Sequence, residues 1–268
     1  MLRVFPRRTN ATPDDEHVRI GYPEMWDKPD KVNISVSFTW DIPKAESMYK
    51  TWSQIAPTEM GGPALGDHGD EFEPGMYLKK GYTITSRGCP NRCWFCDVWK
   101  REGNIRELKV KEGNNILDSN LLACSREHQE KVFKMLLLQK NVRFTGGLEA
   151  KRFTLWHCMW LVSLKPRAVF FAYDTPDDYE PLVEATKILR SQIKRFNNVY
   201  RCYVLMGYQH DTIDQARCRL ESVVSLGFMP QAMLYNRRKD VLWRRFQREW
   251  ANPTILGTKM RDYDIDQL

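Results

Sequence analysis

Three cysteines stand close together in Arg87-Gly88-Cys89-Pro90-Asn91-Arg92-Cys93-Trp94-Phe95-Cys96-Asp97, spaced Cys-x3-Cys-x2-Cys with no fourth cysteine nearby. Three thiolates can hold three irons of a cubane iron–sulfur cluster, which leaves one iron without a protein ligand. An open metal position is where chemistry happens, whereas structural sites are closed by protein ligands. The competing chemistry is a zinc knuckle of three cysteines and a histidine. Zinc sites pair Cys-x2-4-Cys with a second pair or with His-x3-5-His. The nearest downstream histidine is His128, and no such pair exists.

This spacing, placed after a strand and with the aromatic Phe95 just before the last cysteine, resembles the signature of the radical S-adenosylmethionine superfamily. The resemblance implies a partial (β/α)6 TIM-like barrel and a [4Fe-4S] cluster held by Cys89, Cys93 and Cys96. It also implies that the open iron chelates S-adenosyl-L-methionine. An electron from the cluster then cleaves the sulfonium to methionine and a 5′-deoxyadenosyl radical, which abstracts hydrogen from a substrate. Cofactor-binding roles carry over to polar residues that follow the expected strands. Asp118, Ser119 and Asn120 suit the methionine zwitterion, although Asp118 equally suits a helix cap. Thr145-Gly146-Gly147-Leu148-Glu149 resembles the family's Gly-Gly-Glu element, in which backbone and carboxylate bind the ammonium group. An ordinary turn is the plain alternative for Gly146 and Gly147, and Glu149 can instead face the substrate. Asp174 stands where the family holds ribose hydroxyls, again with a helix cap as the alternative. Gly207 permits close approach of adenine, and Tyr235-Asn236 is a further strand end. Trp94 and Phe95 shield the cluster or simply pack, and Arg87 adds positive charge beside it. His128, His157 and His210 have no metal spacing and read as surface or core residues.

The elements that must position these groups read as alternating strands and helices. Strands are expected at 82–85, 115–117, 142–145, 168–172, 200–205 and 231–234, with helices at 126–139, 151–163 and 212–225. A further helix follows Thr175-Pro176, and Gly227 closes the one before the last strand. Parallel barrels put their active sites at the carboxyl ends of the strands, where the candidates fall. Upstream, 1–30 reads as mostly irregular and 32–38 as a strand. A helix from Pro43 carries Ala45, Met48, Tyr49, Trp52 and Ile55 on one side. The organisation expected is therefore a small amino-terminal α/β cap over 1–78, a core over 79–236 and a basic, aromatic helical tail over 237–268. The cap resembles the end of a cobalamin-binding domain, but Asp67-His68-Gly69 lacks the Asp-x-His-x-x-Gly spacing, so cobalamin is disfavoured.

The chain has 268 residues, a net charge of +7 and seven cysteines. The remaining Cys124, Cys158, Cys202 and Cys218 are scattered, which favours a reducing cytoplasm over a disulfide framework. No apolar run is long enough to span a bilayer, and no export signal is read, so no membrane partner is expected. The basic charge permits an anionic partner without requiring one. Arginines interleaved with Trp243, Phe246 and Trp250 admit a nucleic acid or nucleobase. The favoured reading is an amphipathic helix with Leu242, Phe246 and Trp250 docked and arginines in water, because that spacing explains the aromatics without a ligand. An external low-potential electron donor is implied by the enzyme reading. The reading from a different class is a non-catalytic zinc or iron–sulfur module that binds nucleic acid.

Overall fold

The computed structural model describes residues 1–67, 71–194, 196–235, 240–251 and 256–257. The chain is a mixed α/β protein with parallel sheets, divided into two compact units, Met1–Asn114 and Asn115–Leu268.

The amino-terminal unit contains β1 (Leu2–Phe5), β2 (Val18–Ile20), β3 (Val32–Ser35), α1 (Ile42–Trp52) and β4 (Thr58–Gly61). These strands pair in parallel in the order β2-β1-β3-β4. The expectation of an irregular start is thus corrected. β1 is buried at every position, so it lacks the alternation that betrays a half-buried strand. Arg3 further disguises it. That side chain is 6% exposed because its guanidinium donates to the carbonyls of Gly75 (2.7 Å) and Met76 (2.5 Å) and pairs with Asp15.

α1 covers this sheet with Ala45, Met48 and Trp52, packed on Val4, Val32 and Ile34. Tyr49 and Ile55, expected on the same face, are exposed. The Trp52 indole N–H reaches the Gly21 carbonyl at 3.0 Å, which satisfies the one polar atom of a fully buried ring. The unit continues through β5 (Tyr82–Thr83), β6 (Ser86–Arg87), α2 (Val98–Glu102) and β7 (Arg106–Glu107). The strand expected over 82–85 is therefore shortened to β5, and β6 begins just past its expected end. β6 pairs antiparallel with β7.

The carboxyl-terminal unit runs β8 (Asn115–Ile116), α3 (Arg126–Leu137), β9 (Arg143–Phe144), α4 (Leu155–Leu164), β10 (Ala168–Tyr173), α5 (Tyr179–Gln192), β11 (Tyr200–Met206), α6 (Ile213–Ser225), β12 (Met229–Leu234) and α7 (Val241–Ala251). β8 through β12 pair in chain order, all parallel. Because these strands all run the same way, their carboxyl ends lie at one edge of the sheet. β10 and the carboxyl half of β11 are almost entirely buried, as apolar runs covered on both faces should be. Capping at the helix starts, and at the short turn that leads into α5, is local. Ser125 accepts from the His128 N–H, and Thr154, Thr175 and Thr212 form capping boxes with His157, Asp178 and Gln215. His157 also meets Gln129 at 2.8 Å, and burial together with Arg126 lowers it to about 4, so it is a neutral core residue.

α7 docks by Trp243, Phe246 and Trp250, while Leu242 is 61% exposed. The expected Leu242 stripe is corrected: spacings of three and four put Trp243 rather than Leu242 inward. The Gln247 amide donates to the Ala232 carbonyl at 3.1 Å and ties the helix to β12. Buried in this way, the three aromatics have no open face for stacking bases. Among the described residues no helix is long and apolar enough to cross a membrane. Trp243→Ala should cost about 3–5 kcal/mol through the cavity it leaves, and Leu242→Asp should change stability by less than about 0.5 kcal/mol. Urea unfolding followed by tryptophan fluorescence checks both, and equal effects would refute the assigned face.

Candidate functional site

The cysteine loop belongs to the amino-terminal unit and is closed at its base. β6 and β7 pair across it, with Arg87 opposite Arg106. The Gly88 N–H donates to Glu102 Oε2 at 2.9 Å, and the Cys89 N–H donates to the Gly103 carbonyl at 3.1 Å. Gly88 has φ +82°, and a Cβ there would lie 2.2 Å from the Asn104 carbonyl oxygen. Only glycine fits so tight a closure. Inside the loop the Cys96 N–H reaches the Cys93 carbonyl at 3.2 Å, and the Trp99 indole N–H donates to the same oxygen at 3.1 Å.

Cys89, Cys93 and Cys96 are half-buried and in no disulfide. Burial pushes the Cys96 thiol up, with Cys89 and Asp97 adding to it and the Val98 N–H and Arg101 opposing. Trp94 is 53% exposed and meets half-buried Phe95 edge-on at 5.3 Å. Arg87, expected to lend charge to the loop, faces Glu102 at 3.6 Å, so much of its charge is answered. The nearer cation is Arg101, which the sequence reading passed over. It stands one turn into α2 and acts on Cys96. Its Nη1 reaches the Pro63 carbonyl at 3.4 Å. Its Nε is buried with no hydrogen-bond partner among the described residues.

The chemistry of the donor set suits a [4Fe-4S] cluster: three thiols on one closed loop, none in a disulfide, and a buried guanidinium N–H that an anionic group would satisfy. Among the described residues no three His, Cys, Asp or Glu side chains are already gathered as a metal-binding group.

The other candidates lie at the carboxyl ends of strands in the second unit. After β8, Asp118 and Asn120 are buried and Ser119 is half-buried. After β9, Glu149 receives the Asn120 amide and the Arg152 Nε on one oxygen, each at 2.7 Å. The structure thus joins two sequence candidates 29 residues apart. Asp118 does not cap α3, a task that falls to Ser125. Gly146 has a structural reason: a Cβ there would lie 2.4 Å from the Asp118 carbonyl oxygen, so the β9 turn can press on the β8 turn only as glycine. Gly147, with φ +93°, faces open space. The Tyr203 hydroxyl donates to the Thr145 carbonyl at 3.0 Å and steadies this edge from β11.

Asp174 follows β10, and the cap belongs to Asp178, whose Oδ2 accepts the N–H groups of Asp174 (3.0 Å) and Thr175 (2.7 Å). The Asp174 carboxyl is left to its surroundings. Burial raises it to about 7, Asp178 adds to the rise, and the Leu205 N–H and Arg219 oppose it. Gly207 donates to Asp211 Oδ2 at 2.7 Å, and the space its Cβ would claim is taken by Leu234 (2.8 Å) and Trp243 (3.3 Å). Asn236 lies outside the described residues. Asp211 and Arg219 form a buried ion pair at 2.8 Å, and Arg219 also donates to the Leu205 carbonyl at 3.0 Å. Neither was singled out from the sequence. The usable signal was an arginine on the apolar face of α6, among Ala216, Leu220 and Val223.

Compared with known proteins, the chain matches no family model and no curated relative.

The raised Asp174 gives a signed expectation. A carboxyl whose folded value exceeds its ordinary 3.8 binds its proton more tightly in the folded chain, so stability falls as pH rises from about 4 through about 7. Asp174→Asn removes that loss. Its advantage over wild type should grow by about 2 kcal/mol between pH 5 and pH 8, by denaturant unfolding at both values. A constant difference would show that Asp174 is not held protonated.

Proposed function

We propose that the chain is a radical S-adenosylmethionine enzyme whose Cys89, Cys93 and Cys96 hold a [4Fe-4S] cluster. The reading rests above all on the Cys-x3-Cys-x2-Cys loop, closed at its base and bearing three half-buried thiols that form no disulfide. In this reading β8–β12 belong to a (β/α)6 barrel of the radical S-adenosylmethionine type, whose strand ends carry the remaining cofactor contacts. When bound, the cluster supplies the electron that splits the sulfonium into methionine and a 5′-deoxyadenosyl radical for hydrogen abstraction from substrate.

The chain's own residues have separable tasks. The Gly88–Glu102 and Cys89–Gly103 hydrogen bonds hold the loop base, so the thiols move as one piece. Arg101 offers its buried Nε–H to the anionic group that the three thiolates create. Glu149, oriented by Asn120 and Arg152, accepts from the ammonium of the methionine part. Asp118 and Ser119 flank that contact. Asp174 accepts ribose hydroxyls, and its raised value leaves it able to donate as well near neutral pH. Phe95 covers the loop against water. A low-potential electron donor comes from outside the chain, and a reducing cytoplasm suits such a cluster.

Anaerobic loading with iron and sulfide, then dithionite and S-adenosylmethionine, should yield 5′-deoxyadenosine by mass spectrometry, and Cys96→Ala should abolish it. Zinc bound without labile sulfide would overturn the assignment in favour of a closed metal module.

A further inference from the structure

The second unit carries opposite charges at the two edges of one sheet. Asp118, Glu149, Asp174 and Asp211 follow the carboxyl ends of β8, β9, β10 and β11. The amino edge is built from the turns that lead from a helix into a strand, over 138–142, 165–167, 193–199 and 226–228. No Asp or Glu occurs in these turns. Lys140, Lys165, Arg167 and Lys194 stand in them and are exposed, while Arg143 and Arg201 lie within the first two residues of β9 and β11.

The three arginines share one row. Arg143 lies beside Ala168 in register, Arg167 immediately precedes Ala168, and Arg201 lies beside Phe170. Neighbouring strands are about 4.8 Å apart, so the row over β9, β10 and β11 spans about 10 Å. Its backbone is tied down, since the Arg167 N–H donates to the Val142 carbonyl at 2.7 Å. The Arg201 Nε donates to the Asn198 carbonyl at 3.0 Å, with its guanidinium 5.5 Å from the Phe170 ring centre. Lys165 ends α4 at φ +46°, a left-handed position that favours glycine.

Two plain explanations of this charge fall short. Basic residues suit helix C-termini, but the helices that end here, α3 to α6, supply only about half a negative charge each. That answers about two of the six cations. Nearby carboxylates are the other explanation, and on the helix surfaces they serve. Lys131 meets Glu127, Lys134 meets Glu130 and Lys187 meets Glu184, each at 2.7 Å. Arg143, Lys165, Arg167, Lys194 and Arg201 make no ion pair among the described residues.

What else the edge exposes selects the polyanion. Phe196, Tyr200 and Phe228 are buried, so these turns offer no ring on which an unpaired base could stack. Leu138 is the only large apolar side chain exposed in the four turns, too little to seat a lipid surface. What remains is a set of guanidinium forks, which match phosphate oxygens two at a time. A duplex keeps its bases inside and presents one phosphate charge per about 1.7 Å of its axis.

We infer that the amino edge of this sheet docks the phosphate backbone of a nucleic-acid duplex. Arg143, Arg167 and Arg201 make the contacts, with Lys140, Lys165 and Lys194 around them. The surface lies at the opposite ends of the strands from Asp118, Glu149 and Asp174, so it holds a partner rather than reacting with it. It uses neither the cysteines nor S-adenosylmethionine and stands whatever the outcome for cleavage.

The experiment is fluorescence anisotropy of the cluster-free full chain with labelled duplexes of about 20 base pairs, one of DNA and one of RNA. Binding should be micromolar near about 50 mM salt, with log K falling against log salt at a slope steeper than about −3. Binding of either duplex supports the inference, and the tighter one names the source. Arg143→Gln, Arg167→Gln and Arg201→Gln should each flatten the slope by about one. Combined, they should weaken binding by about tenfold or more. The Lys131→Gln, Lys134→Gln, Lys187→Gln variant loses the same charge from the helices and should bind as wild type, with circular dichroism confirming that all variants are folded. The inference is overturned if this helix variant weakens binding as much as the arginine variant, or if about 100 μM protein leaves the duplex free at about 50 mM salt. Tighter binding to the single strand, or to phosphatidylglycerol vesicles, than to the duplex also overturns it.

Discussion

Parallel strands cannot be joined by hairpins, so each needs a crossover, and strands that run the same way leave the carboxyl ends of a sheet at one edge. The two parallel sheets of this chain obey that constraint, and the candidate chemistry of the second unit follows from it. Asp118 to Asn120, Gly146 to Glu149, Asp174 and Gly207 are far apart in sequence. All occupy the residues just past a strand, because those are the positions that a parallel sheet exposes together. The cysteine loop is the exception. It is an excursion closed by the antiparallel pair β6 and β7, and its shape is set by local hydrogen bonds and by Gly88 rather than by a sheet edge.

That difference explains the separate demands on the two kinds of site. A sheet edge can place single side chains, such as Glu149 against Asn120, because strands are rigid and turns short. Three thiols within one loop need a closed base instead, since each free residue of loop would cost about 1–2 kcal/mol to order. Glu102 reduces that cost in two ways, accepting the Gly88 N–H while facing Arg87. The same arrangement explains why Arg101 rather than Arg87 acts on Cys96. Arg87 is turned to Glu102, whereas Arg101 stands on α2, the helix that follows Cys96.

How much of this was legible in the sequence depended on how each element meets water. β10 and β11 were found nearly to the residue because their apolar runs have no other reading. β1 was missed because it is short, buried on both faces and interrupted by Arg3, whose burial depends on carbonyls more than seventy residues away. In α1 and α7 the helices were right and the faces partly wrong: Tyr49 and Leu242 satisfy the spacing, but Trp52 and Trp243 bury more surface. The cysteines were visible from spacing alone. Asp211, Arg219 and Arg101 were not, since each matters through how a turn and a neighbouring helix fold back on one another, which no spacing rule records.

The caps set what the second sheet edge can hold. Helix N-termini there would ordinarily offer free N–H groups to an anion. Ser125, Thr154 and Thr212 take one of those donors at α3, α4 and α6, Asp178 takes the N–H groups of Asp174 and Thr175 just ahead of α5, and Asp211 takes the Gly207 N–H. What the edge retains is a surplus of acceptors. Glu149 has a second oxygen beyond the one shared by Asn120 and Arg152, and Asp174 is spared from capping by Asp178. An edge built in this way recognises groups that donate, such as ammonium and hydroxyl, in preference to phosphate. The ammonium and ribose of S-adenosylmethionine are groups of that kind, so local capping chemistry and the proposed ligand agree without either being invoked to explain the other.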